Sequence, residues 1–193
     1  NQSGYSNIIQ HDGSNYKFII RYEDDMSQFN YSLKIGSEGH VTITSPDINS
    51  WHHVAFSYDG NTATAYLNGV SQGSFSKSGT YNSSEIVYIG NWETIEGFDG
   101  NIDEVAIWNI ALTESQIQAN INSELTGSET GLVGYWNFNE GSGTTLTDLS
   151  GNGNHGTIYG ATWDTDSQDD DENDEDDGSI ELLTGYSESG VYY

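Results

Sequence analysis

The feature that most constrains this chain is a short segment with alternating apolar and polar residues, which recurs and closes on a tight turn. Such alternation is typical of a half-buried antiparallel strand, because successive side chains point to opposite faces of a sheet. Asp59-Gly60 and Asn68-Gly69 each end one segment, and both pairs tolerate the positive φ of hairpin turns. The segments that fit this pattern are Lys17–Tyr22, Tyr31–Ile35, His40–Thr44, His52–Tyr58, Thr62–Leu67, Glu85–Ile89, Asn101–Trp108 and Leu132–Phe138.

Turns about ten residues apart along so many segments predict an all-β fold, an antiparallel β-sandwich of the jelly-roll type. One short helix is expected after the seventh segment. Thr113 can cap it and Gln116 can complete the capping box. We expect Gly127 to end it. One helix face repeats an apolar residue every fourth position, at Ile117, Ile121 and Leu125.

The negative charge divides the chain into a body and an appendage. Four Lys and Arg stand against thirty Asp and Glu, a net charge of −26, yet ten of the acids fall within Asp164–Asp177. We therefore predict a β-sandwich domain over residues 1–163, an acidic Asp-rich linker over 164–178, and a short tail or added strand over 179–193. A run of like charges repels itself, so we expect the linker to be solvated and extended.

Composition also excludes several classes of function. So few cations cannot form a basic patch, which argues against nucleic acid or an anionic membrane surface as partner. The sequence has no cysteine, which rules out disulfides and thiolate metal sites, and no run of about 18 apolar residues, which predicts no membrane insertion. Calcium and neutral ligands remain compatible. Thirteen Tyr and five Trp can supply the core.

Several motifs together resemble laminin G-like domains, which are concanavalin A-like lectin/glucanase jelly rolls. They are the hairpin Trp51–Gly60 with Tyr66–Gly69, the strand Phe98–Trp108, and the segments Gly131–Gly143 and Asp148–Gly156. The resemblance covers roughly residues 30 to 163. It implies a module like those of secreted, multi-module bacterial surface proteins.

The order of the motifs departs from the family pattern. In many relatives, segments like the last two come before the hairpin, and the usual opening strands are not legible in residues 1 to 30. We expect either a front truncation or a permuted order in which the C-terminal segment supplies strands. Because the chain opens on Asn1 rather than Met, we also expect a processed product or a piece of a longer protein.

Asp148–Gly156 combines carboxylate, amide and glycine in a way that suits calcium, which prefers six to eight oxygens on irregular chain. Asp103 is expected to share a strand face with Val105 and Ile107, where an ion would neutralise it. Relatives in the family often hold a structural ion near the sandwich rim. We predict a Ca²⁺ site whose ligands are Asp103, Asp148, Asn152 and the carbonyl of His155. The alternative is that Asp148 and Asn152 only form hydrogen-bonded turns.

The acidic run is a weaker calcium candidate. Counting back from Gly178 to fit an EF-hand loop puts Thr184 at the twelfth position, where the loop requires Glu. A solvated linker is the favoured interpretation, and loose calcium binding stays open.

No pattern in the sequence supports catalysis. Glycoside hydrolysis needs two carboxylates facing one cleft, and on a strand these lie two or four positions apart. Asp103 and Glu104 are adjacent, and no Gly-x-Ser-x-Gly elbow occurs. We predict that the protein is not an enzyme.

Sugar binding is the remaining functional hypothesis for the aromatic residues. Flat aromatic faces and amides hold sugars, and such residues cluster on and beside one predicted strand. The candidate ligand-binding residues are Tyr81, Tyr88, Asn91, Trp92 and Glu93. Packing in the core is the alternative, above all for Tyr88.

The leading hypothesis is a non-catalytic, calcium-stabilised carbohydrate-binding or adhesion module of a secreted or cell-surface bacterial protein. Its partner would be a glycan or surface polysaccharide. The alternative is a structural or assembly module, a spacer or filament subunit, that recognises protein partners or itself by strand addition. Illegible front strands and a Tyr-rich ending, Tyr186 to Tyr193, favour that alternative.

Overall fold

The structure is a computed structural model. It describes residues 4–11, 18–23, 26–44, 47, 50–81, 86–91, 97–164 and 179–186, the last range as backbone only. The strands and the helix, in chain order, are β1 Tyr5–His11, β2 Phe18–Glu23, β3 Gln28–Ile35, β4 Ser37–Thr44, β5 His52–Tyr58, β6 Thr62–Leu67, β7 Val70–Ser76, β8 Val87–Ile89, β9 Asn101–Trp108, α1 Glu114–Ile121, β10 Leu132–Trp136, β11 Thr145–Leu146, β12 Gly156–Thr157 and β13 Ser179–Tyr186.

These strands form two large sheets and a small ribbon. The five-stranded sheet has the order β4-β3-β2-β1-β8, and all of its pairs are antiparallel. The six-stranded sheet has the order β10-β9-β13-β5-β6-β7. It is antiparallel except at β13, which runs parallel to both neighbours. Strands β11 and β12 pair with each other. The predicted antiparallel β-sandwich with one short helix is confirmed.

Alternation located most strands but missed β1. His52–Tyr58, Thr62–Leu67 and Asn101–Trp108 are strands with the predicted bounds. In β1 the pairing with β2 shifts register between Asn7 and Ile9, so Ile8 and Ile9 are adjacent and both fully buried. A bulge of this kind breaks the two-residue period. The opening strands that the sequence did not reveal are therefore present in residues 1 to 30.

The main core fills the space between the two large sheets. Aromatic and branched side chains from both inner faces interdigitate there, and Tyr31 and Tyr58 are among the largest fully buried. Their hydroxyls are satisfied: Tyr31 donates to the carbonyl of Tyr66 at 3.1 Å, and Tyr58 donates to the carbonyl of Gly79 at 2.6 Å. A buried hydroxyl without a partner would destabilise the fold.

A second, smaller core lies on the other face of the six-stranded sheet, against the α1 region. Its largest buried members are Trp108, Tyr135 and Tyr66. The predicted capping box is confirmed, since Thr113 accepts from the backbone of Gln116 while the Gln116 side chain accepts from that of Thr113. The predicted end of the helix is wrong, because α1 ends at Ile121 and Asn122 caps it. In the described residues no helix is long and apolar enough to span a membrane.

Candidate functional site

A cleft of about 560 Å³ opens between the edge strand β8 of one sheet and the edge strand β10 of the other. This volume lies within the range of ligand pockets. The buried side chains of Phe18, Trp136 and Leu146 contribute to its apolar wall. At its rim Tyr159 is 86% exposed and Ile86 is 63% exposed. The cleft therefore combines an apolar interior with an aromatic ring held in solvent.

One wall of the cleft is a loop organised by Asp148. This residue is 5% exposed, and its carboxylate accepts three backbone N–H groups. Oδ1 accepts from Tyr135 at 3.1 Å and from Ser150 at 2.8 Å, and Oδ2 accepts from Asn154 at 2.8 Å. The backbone N–H of Leu149 also donates to the carbonyl of Tyr135 at 2.7 Å. Asp148 thus ties the loop to the free edge of β10.

These contacts determine the charge state of Asp148. Burial acts to raise the pKa of its carboxyl, but the hydrogen bonds from Ser150, Asn154 and Tyr135 together hold that pKa below its ordinary value. Hydrogen bonds to the ionised form favour it. The loop therefore has a stable anion at its centre, compensated by backbone amides.

The same loop presents two polar groups to the cleft. Asn154 donates its Nδ2 to the carbonyl of Val133 at 2.7 Å, which leaves its Oδ1 as an acceptor. His155 accepts the backbone N–H of Asp148 on Nδ1 at 3.1 Å. A neutral imidazole that accepts on Nδ1 carries its proton on Nε2, which is then a donor. Trp136 donates its indole N–H to the carbonyl of Asn154 at 3.0 Å and so fixes the loop against the apolar wall.

The predicted ligand-binding residues fall into three groups. Tyr88 and Asn91 line the cleft. Tyr81 is 3% exposed and lies behind the cleft floor, where its ring packs on Phe18 and its hydroxyl is hydrogen-bonded to Nδ1 of His11. The remaining two predicted residues, Trp92 and Glu93, lie outside the described residues.

The predicted metal ligands do not form one cluster. Asp148, Asn152 and His155 share the loop, but Asn152 uses its Nδ2 to donate to the backbone carbonyls of Leu132 and Val133. Strand β10 lies between this loop and β9, which carries Asp103. In the part of the chain that the structure describes, no three His, Asp or Glu side chains are grouped as a metal centre requires. The carboxylate of Asp148 is hydrogen-bonded to backbone amides instead, and the calcium site stays a prediction.

The expected direction of Asp103 is wrong. Ile102 packs on the main core together with Val105 and Ile107, so Asp103 does not share their face. The cause is Glu104, whose φ of 52° lies in the left-handed region. There β9 inserts an extra residue relative to β13, because Glu181 pairs with Asp103 and Leu183 pairs with Ala106. Such a bulge reverses the alternation on either side of it.

The two adjacent acids of β9 are partly buried, and Glu104 contacts Tyr135 of the second core. Burial raises the pKa of Asp103 and, more than any other cause, the pKa of Glu104. Glu104 accepts a hydrogen bond from the Tyr135 hydroxyl at 2.6 Å. Neither acid lines the cleft.

Sequence reasoning missed Tyr159 and Phe138, which also line the cleft. The available signal was weak. Tyr159 follows a glycine-rich segment and precedes Gly160, so an aromatic ring on irregular chain was the one hint of an exposed platform.

Comparison with solved structures shows two similarities. The first is to a "putative carbohydrate binding protein" from Bacteroides ovatus ATCC 8483, with a TM-score of 0.62 and 23% identity over 80% of this chain. The chain spans about half of that protein, 47% of its length. The second is to an S-layer domain-containing protein from Clostridium thermocellum ATCC 27405, with a TM-score of 0.34 and 22% identity over 60% of this chain and 62% of that one. No curated protein matches the chain.

A family model provides the assignment. The laminin G-like model of the concanavalin A-like lectin/glucanases superfamily matches residues 1–118, which include the first thirty residues and stop before Gly131. The match thus extends further forward than the motifs indicated, and it covers more than half of the sequence. The chain belongs to the concanavalin A-like lectin/glucanases superfamily, as a laminin G-like member.

Proposed function

We propose that this protein is a non-catalytic carbohydrate-binding module and that the cleft between β8 and β10 receives a neutral glycan. The observation that carries the proposal is the exposed ring of Tyr159 at the rim of an apolar cleft whose wall presents Asn154 and His155. Sugars bind through aromatic faces against their C–H surfaces and through polar groups against their hydroxyls. Family membership and the likeness in fold to the Bacteroides ovatus protein, which is named for carbohydrate binding, support the same class.

Charge indicates which glycans fit. The four cations of the sequence are Lys17, Arg21, Lys34 and Lys77. Among the residues that the structure describes, no Lys or Arg lines the cleft. A net charge of −26 repels anionic ligands. Neutral oligosaccharides are therefore favoured over uronic or sialic acid polymers.

The cleft also supports binding rather than hydrolysis. Glycoside hydrolases place two carboxylates on either side of the scissile bond. Among the described residues that line this cleft there is no Asp or Glu. Because the carboxylate of Asp148 accepts hydrogen bonds from three backbone amides, we do not include calcium in the proposal.

We place this activity outside the cell, in adhesion to a surface polysaccharide. The support is laminin G-like membership and the carbohydrate class of the proposed ligand. Immunolabelling of intact cells tests the location, with surface label expected and label confined to the cytoplasm contradicting it.

The binding experiment uses a panel of neutral oligosaccharides on an array, followed by titration calorimetry of those that bind. Tyr159→Ala is expected to weaken binding about tenfold, since loss of one stacking ring costs about 1.4 kcal/mol. The matched control is Trp51→Ala, because Trp51 is another exposed aromatic, 43% exposed, that does not line the cleft. Equal affinity of both variants, or no binding by the wild type, would overturn the proposal.

A further inference from the structure

Strand β13 is the anomaly of the sandwich. It fills the position between β5 and β9, and it runs parallel to both, whereas every other described strand pair within the two large sheets is antiparallel. It pairs with the full length of β5, from Ile180 opposite His52 to Tyr186 opposite Tyr58. On its other side it pairs with β9 from Ser179 opposite Asn101 to Gly185 opposite Trp108.

The β5–β9 slot, defined as the space between His52–Tyr58 and Asn101–Trp108, requires a strand. Without one, β5 and β9 would each present an open edge inside the sheet. Every residue of β5 is buried, as are Val105 to Trp108 of β9. Buried backbone N–H and C=O groups cannot remain unpaired without a large cost. The slot is therefore a strong acceptor for any segment that matches its length.

The connection to β13 is much longer than this position demands. Asn101 donates its Nδ2 to Asp164 at 3.2 Å, and Ser179 pairs with the same Asn101. Fourteen residues, 165–178, join these two points, which lie on the order of 10 Å apart. A chain of that length can span roughly 50 Å, and loops of two to six residues commonly connect neighbouring elements.

Charge adds a second argument. Ten of the fourteen residues from Asp164 to Asp177 are acidic, and no cation lies among them. If the segment folds back so that its two ends meet at Asn101, its negative charges are brought close together. If it extends to a second molecule, the charges lie further apart and repel each other less. Both the length and the charge of the segment suit a bridge better than a closed loop.

We propose that the β5–β9 slot accepts strand β13 from a second copy of this chain, so that Ser179–Tyr186 is exchanged between molecules. The partner is identical in sequence, so the register seen within one molecule is reproduced between two. Reciprocal exchange gives a closed dimer, and one-way exchange gives an open chain of modules. This inference goes beyond carbohydrate binding and does not depend on it.

The absence of cysteine from the sequence allows a disulfide test without background. Ala55 and Leu183 are register partners across the slot. One preparation carries Ala55→Cys and a size tag, and the other carries Leu183→Cys without the tag. The two are unfolded together, refolded, oxidised in the native state and separated on a non-reducing gel. We expect a reducible band that contains one chain of each kind.

The control replaces the second variant with Leu182→Cys. Its register partner is Val54, which packs in the main core, whereas Ala55 packs in the second core on the opposite face. This mixture is expected to give at least tenfold less of the mixed band. A pair at Ser57→Cys and Gly185→Cys, also register partners, repeats the test if the first pair lowers the yield of folded protein.

The double variant Ala55→Cys/Leu183→Cys separates the alternatives. If it closes within one chain while the mixture of single variants gives no mixed band, β13 stays in its own molecule and the proposal fails. If it forms no disulfide in either form, β13 does not occupy the slot, and the proposal fails as well.

Discussion

Asp148 is a predicted metal ligand whose carboxylate accepts three hydrogen bonds from the protein itself. The donors are the backbone N–H groups of Tyr135, Ser150 and Asn154. An anion held in this way organises irregular chain through its hydrogen bonds. The loop that it closes then carries the polar wall of the cleft.

Replacing Asp148 with Ala is expected to lower the free energy of unfolding by about 3 kcal/mol, because three buried N–H groups lose a charged acceptor. Urea denaturation at neutral pH measures the loss. Asp99→Ala is the control, since Asp99 is exposed, and it should change stability by less than about 0.5 kcal/mol. A similar effect of the two substitutions would show that the loop does not depend on this carboxylate.

The same residue predicts a dependence on pH. Because the folded state lowers the pKa of Asp148, its contribution is fully present above the ordinary Asp pKa of about 4 and is lost as pH falls through the lower folded value. The stability difference between wild type and Asp148→Ala should therefore be constant from pH 7 to 5 and shrink below about pH 4. A difference that grew on acidification would contradict this sign.

Glu104 explains why the residue-level prediction for Asp103 was wrong. Alternation places every second side chain on one face only while the backbone stays extended. A left-handed residue within β9 shifts that register, and Glu carries no sequence signal for it, as Gly or Asn would. Tyr159 was missed for a different reason. The residues that face it across the cleft come from a distant part of the sequence, so no local pattern reveals the cleft.

At the scale of elements, hairpins were predictable and long-range order was not. Strands β5 and β6 have the bounds that the Asp59-Gly60 turn implied. Strand β7 was missed because most of its side chains are exposed and small or polar. An added strand was one of two expectations for residues 179–193, but its position between β5 and β9 was not predicted, because parallel pairing leaves no turn to read. Which strand lies beside which depends on contacts that local patterns do not encode.

Gly127 links two elements that sequence reasoning treated separately. Its φ is +82°, and a Cβ there would strike the carbonyl oxygen of Leu149 in the Asp148 loop. Gly127→Ala is expected to destabilise the protein by more than about 2 kcal/mol. Gly151→Ala is the matched control, because Gly151 has a similar φ of +79° but open space around it. Its substitution should therefore cost only the backbone strain of about 1 kcal/mol, without a steric clash.

Thermal melts of the two glycine variants distinguish these costs. An equal fall in melting temperature for both would mean that the segment around Gly127 does not press on the Leu149 carbonyl. In that case the α1 region and the cleft loop would be independent elements.

At the scale of the molecule, the cleft exists because two edge strands from different sheets meet, and the residues on them are far apart in sequence. Tyr88 and Asn91 come from one side, and Trp136 to Tyr159 come from the other. Part of the net charge of −26 lies in the acidic segment that connects Asp164 to strand β13. The predicted domain division at Trp163 is untested.

The central claim is that a neutral glycan enters the cleft between β8 and β10. The most direct measurement follows the indole N–H signals of the tryptophans by NMR while neutral oligosaccharides based on glucose, mannose or xylose are added. Trp136 lines the cleft and Trp108 lies in the second core. The account therefore predicts a saturable shift of Trp136 with Trp108 unchanged, and about a tenfold higher sugar concentration at half-saturation in Tyr159→Ala. A shift of Trp108 without Trp136, or no shift with any of these sugars, would contradict it.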